Sequence, residues 1–143
     1  MTESAQHSQP DNLRRLQPLR ILLSGQDRRF VRVTAFLLAQ RGYQVAEAGV
    51  GELLRAAERD SPDVVLVEAG GSRAAAARQV AQLVALAAAP AVVVATDERE
   101  RLWPRLRSIE KWAPIDELIR VIEKASLERQ VPVTPADSAH DHI

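Results

Sequence analysis

Pro62-Asp63-Val64-Val65-Leu66-Val67-Glu68-Ala69-Gly70-Gly71 is the stretch on which the fold turns. Four apolar, mostly β-branched residues follow a Ser-Pro-Asp turn signal and end in a carboxylate and two glycines. So short an apolar run between breakers reads as a strand buried on both faces. Such strands belong to parallel sheets covered by helices. Ligands in these folds bind at the carboxyl ends of the strands, where Glu68 stands.

Similar runs lie to either side. Leu19–Leu23 and Tyr43–Ala48 come before it, and Ala91–Ala95 and Arg107–Lys111 after it. Amphipathic stretches alternate with them. Phe30, Val33, Leu37 and Leu38 mark one apolar helix face, and Val50, Leu53, Leu54 and Ala57 a second. Ala76, Val80, Leu83, Val84 and Ala87 mark a third, with Pro90 as its stop, and Ile115, Leu118, Ile119 and Ile122 a final one. Asp27 stands at an N-cap position and Gly42 at a helix stop. The segment Glu98–Arg107 is weakly helical and broken by Pro104. Five strands alternating with helices predict a doubly wound α/β fold with a five-stranded parallel sheet and a shortened or irregular fourth helix. Right-handed crossovers bring the strand ends 24–27, 68–72, 96–97 and 111–112 to one edge.

Composition narrows the function. Basic and acidic side chains balance at 19 each, which argues against a nucleic-acid binder. With no cysteine, disulfides, thiol catalysis and cysteine metal sites are excluded. Met1–Asp11 lacks the apolar core of a signal peptide, and no stretch reaches the ~20 apolar residues of a membrane span. A cytoplasmic protein is expected, with a domain over 18–128 between disordered tails at 1–17 and 129–143. His140 and His142 lie in the second tail, and Ser24 has no base beside it in the pattern, so neither a metal site nor an enzyme is expected. No cofactor motif is present: Gly70-Gly71 lacks the lysine and spacing of a P-loop.

Five pieces, in order and spacing, carry a resemblance: Arg20-Ile21-Leu22-Leu23, Gly42-Tyr43-Gln44-Val45, Pro62–Val67, Val92–Thr96, and Lys111 ahead of Asp116-Glu117-Leu118. Together they make the chain resemble the receiver domain of response regulators over about residues 18–128, which implies a receiver- or flavodoxin-like arrangement of the sheet. The resemblance implies a magnesium ion held by two adjacent acids after the first strand, but those positions are Gly25 and Gln26, with only Asp27 beside them. The implied phosphoacceptor aspartate falls on Glu68, one methylene longer. The implied switch threonine and lysine are kept as Thr96 and Lys111. A proline after that lysine, usually preceded by a cis peptide, is replaced by Trp112, so a trans bond is expected. The switch aromatic falls near Ser108.

A degenerate, pseudo-receiver member is therefore expected. It would be a phosphorylation-independent adaptor in two-component signalling that acts through protein–protein contact. Glu68 is expected to pair with Lys111, with the Thr96 hydroxyl as a further donor. Trp103, Trp112 and Ile119 are expected on the interaction face, rimmed by Arg105, Arg107 and Arg120, with a protein partner or a homodimer. The alternatives are a small-ligand sensor using the vacated acidic pocket around Gly25, Gln26 and Asp27, and an atypical phosphorylatable regulator.

Overall fold

The computed structural model describes residues 17–70, 73–97 and 107–130. Its strands are β1 (Arg20–Ser24), β2 (Gln44–Ala48), β3 (Val64–Glu68), β4 (Ala91–Thr96) and β5 (Arg107–Glu110). Its helices are α1 (Arg28–Gln40), α2 (Leu53–Asp60), α3 (Arg73–Val84) and α4 (Ile115–Gln130), with a 3-10 turn at Val50–Glu52 ahead of α2. All strand pairs are parallel, in the order β2-β1-β3-β4-β5. The expected doubly wound sheet is what forms, and the chain order reverses between β1 and β3.

β3 is buried along its whole length. Successive side chains of a strand point to opposite faces, so the central strands feed two cores. Ile21, Leu23, Val64, Leu66, Val93 and Ala95 pack beneath α1 and α4. Leu22, Val65, Val67, Val92 and Val94 pack beneath α2 and α3. By the same alternation Glu68 lies on the α1 and α4 side, at the carboxyl edge. No helix among the described residues is long and apolar enough to cross a membrane.

Helix phasing departs from expectation in three places. On α1 the buried residues are Phe30, Val31, Thr34, Ala35 and Leu38, and Val33 is exposed. Phe30, Val31, Thr34, Ala35 and Leu38 recur at helical spacing and form the face turned to the sheet, which leaves Val33 on the open side and Leu37 half-buried at its edge. Val50 belongs to the 3-10 turn and is exposed, and Ala56 takes the buried place beside Leu53 and Ala57. α3 ends at Val84, earlier than Pro90 suggested, and Val84 is exposed rather than on the core stripe. The Ala85 and Leu86 amides bond to the carbonyls of Gln82 and Leu83, three residues back, and this tightened turn carries Ala87 off the stripe. Leu86 packs against the core instead.

The final helix runs to Gln130, beyond the expected domain end. Apart from residues 17, 129 and 130, the expected disordered tails fall on residues outside the described ones, as do Trp103, Arg105, Pro104 and the irregular fourth helix. Among the described residues no peptide bond is cis, as expected for Lys111–Trp112.

Candidate functional site

β1, β3 and β5 end at the same edge of the sheet, with β4 between the last two, and residues at and after these ends build one cluster. Asp27 caps α1 in extended backbone (φ −81°, ψ 93°), and its Oδ1 accepts the Phe30 amide at 3.1 Å. Its second oxygen, Oδ2, lies 2.7 Å from Lys111 Nζ. Lys111 follows β5 directly and is anchored by its own amide, which donates to the Thr96 carbonyl at 2.9 Å. The same Nζ lies 3.1 Å from Glu68 Oε2. Glu68 Oε1 accepts the Asp27 backbone amide at 3.2 Å. A closed ring results, in which each oxygen of both carboxylates has a partner.

The three side chains differ in exposure: 1% for Glu68, 10% for Lys111 and 34% for Asp27. Glu68 is thus the charge that depends on its partners, since a buried carboxylate is costly unless paired and hydrogen-bonded. Lys111 Nζ also lies 5.8 Å from the centre of the Phe30 ring, within cation–π reach. Trp112 meets Phe30 edge to face, at 5.2 Å between centroids and 86° between planes.

Two glycines make room for the longer acid. A Cβ built on Gly25 would stand 2.5 Å from Glu68 Cβ and 2.6 Å from its Oε1. A Cβ on Gly70 would overlap Glu68 Oε2. In the sequence Gly25 reads as a missing acid, and in the structure it is the space that Glu68 fills. The parts played by Gly70 and Phe30 left no signal in the sequence, because both depend on contacts made across the fold.

Hydrogen bonding to Lys111, then to the Phe30 amide, holds the Asp27 carboxyl below its ordinary 3.8. Burial pulls Lys111 down, but Asp27 and Glu68 together outweigh it and raise the ammonium above its ordinary 10.5. The signs give a pH profile. Asp27 stabilises the fold above 3.8, and this is lost as pH falls through its lowered value. Lys111 stabilises it below 10.5, and this is lost as pH rises through its raised value. Calorimetry over pH should show a broad plateau in melting temperature with both flanks falling. Replacing Lys111 by methionine should flatten the alkaline flank.

The structure gathers Gly25, Asp27, Glu68 and Lys111. Gln26 is exposed beside them, and Thr96 is half-buried at the end of β4. Trp112 is exposed against α1, and Ile119 packs half-buried on the core. Arg107 pairs with Glu128, and Arg120 is exposed. Ser24 Oγ is buried with no hydrogen-bond partner among the described residues.

No family model and no curated protein matches the chain. Solved structures do. The receiver-like protein of Methanospirillum hungatei JF-1 superposes with a TM-score of 0.69 at 19% identity, over 80% of this chain and 98% of the other. The fold is that of a receiver domain. The receiver domain of a modulated diguanylate cyclase from Desulfovibrio desulfuricans G20 gives 0.69 at 20% identity, over 80% and 98%. That of the hybrid histidine kinase CckA gives 0.62 at 20%, over 75% and 98%. The magnesium ion that the receiver resemblance implies does not fit these residues. Gly25 and Gln26 offer no carboxylate, and a hard cation would have to displace the ammonium already bonded to Asp27 and Glu68.

Proposed function

We propose that this receiver-fold chain is a non-enzymatic signalling adaptor in a two-component system, working by protein–protein contact independently of phosphorylation. One observation carries the reading: Lys111 is clamped between Glu68 and Asp27 at 3.1 and 2.7 Å. Phosphoryl transfer needs an accessible attacking oxygen and a cation on the developing charge. Glu68 is almost wholly buried, and both its oxygens are engaged. Its internal ion pair stands where a phosphoryl group and its metal would otherwise gather. A switch needs two states of different affinity for its ligand, and the internal ammonium favours the one in which both carboxylates are already paired.

A small ligand beside Gly25 and Gln26 is the second reading: Glu68 takes the space between Gly25 and Gly70, but a cavity of about 450 Å³ lined by Gly25, Gln26, Arg28, Arg32 and Glu47 opens next to it. An atypical phosphoacceptor is tested directly. Incubation with acetyl phosphate and magnesium, followed by intact mass, should leave the protein unmodified while an ordinary receiver in the same tube is labelled. A stoichiometric phosphoryl adduct lost on Glu68→Gln would overturn the proposal.

A further inference from the structure

The cavity beside the ion ring is a cleft of about 450 Å³ between the start of α1 and the carboxyl end of the edge strand β2. That size lies within the range of sites for small organic molecules. Arg28 and Arg32 line it from α1, and Glu47 from β2. Val45, two residues before Glu47, packs on the core beneath α1, so strand alternation turns Glu47 to the same face of the sheet. Val31, Ala48 and Val50 supply apolar lining. The Val50 end of the wall is fixed from α3, where Gln79 Nε2 donates to the Val50 carbonyl at 2.8 Å.

The three charges of the cleft are unpaired. Among the described residues neither arginine forms an ion pair, and none joins either of them to Glu47, although all three line one cavity. Arg28 and Arg32 stand one helical turn apart on α1, where like charges repel. An acidic group set against both relieves that repulsion, and guanidinium forks suit the oxygens of carboxylates and phosphates alike. Glu47 is an acceptor, so it selects for a nitrogen donor and repels a second acid at its end. A molecule with no acidic group leaves the two guanidinium groups unpaired, and a purely cationic one is repelled by them.

We infer that the cleft binds a small amphoteric acid: one carboxylate or phosphate group against Arg28 and Arg32, a nitrogen donor against Glu47, and a short apolar body. The inference rests on the small-ligand reading of the surface beside Gly25 and Gln26 and gives that reading its ligand class. The ring of Glu68, Lys111 and Asp27 stays closed, so binding here needs no metal and no phosphoryl transfer.

The test is a panel of amino acids, dipeptides, nucleoside monophosphates and sugar phosphates, each beside a counterpart lacking the acidic group, at ~5 mM, which reaches millimolar affinities. Amide NMR on the full chain reads the binding. At least one acid should shift the Gly25, Gln26, Gly49 and Val50 amides saturably, and its acid-free counterpart should not. The carboxylate and phosphate members tell the two sources apart. Arg32→Ala should weaken that acid at least ~10-fold, as expected when hydrogen bonds to a charged group are lost. Glu47→Gln should weaken it as well, but should not weaken inorganic phosphate, which has no nitrogen to offer. Arg32 and Glu47 are both exposed, so the melting temperature of the unliganded variants should stay unchanged. Binding by acid-free members alone overturns the inference and leaves the small-ligand reading standing. No binding across the panel overturns both. An acid whose binding is indifferent to Arg28→Ala and Arg32→Ala sits elsewhere and overturns the inference too.

Discussion

Lys111→Ala should lower the unfolding free energy by about 3–5 kcal/mol, the usual loss when one member of a buried ion pair is removed. The reason lies with Glu68. Its side chain is 1% exposed and loses its only cation among the described residues, while Asp27, far more open to water, recovers hydration in exchange. The Phe30 ring loses the ammonium over its face as well. Denaturant unfolding of the single and double variants measures this. In a Glu68→Gln background the same lysine substitution should cost clearly less, because no unpaired charge is left inside. A loss within about 0.5 kcal/mol, the range of ordinary surface changes, would mean that Lys111 faces water and the ring does not exist.

Gly25→Ala is the second large effect, about 1–3 kcal/mol of overpacking. The added methyl meets Glu68 at Cβ, which cannot swing aside without moving β3. In a Glu68→Gly background both close contacts vanish, and the alanine should cost little. Non-additivity of that size between residues distant in sequence is the signature of a shared space. If the two substitutions simply add, Glu68 does not occupy the room beside Gly25. The coupling ties the two departures from the receiver pattern together, since Glu68 Cβ and Oε1 both occupy the room that a side chain at 25 would need.

How much of this could be read in advance followed from how local each cause is. β3 was legible because burial on both faces leaves a continuous apolar run, and breakers at each end fix its length. Glu68 and Lys111 were legible as a pair because strand order alone brings their ends together. Asp27 was read as a helix cap, which it is, but an aspartate has two oxygens and the second one holds Lys111. The phase of α1 was misjudged at Val33, since apolar character alone does not say which side chains the helix turns to the sheet. Trp112 followed the switch lysine in the pattern, yet its contact with Phe30 across the fold sets it against α1.

The decisive experiment is a magnesium titration with and without beryllofluoride, followed by Trp112 fluorescence in a Trp103→Phe variant. Trp112 adjoins Lys111 and touches Phe30, so any rearrangement of the ion ring should reach it. A flat response is expected, because the ammonium already holds both carboxylates. A saturable, magnesium-dependent change that beryllofluoride amplifies would contradict the locked ring and make this a receiver that still switches.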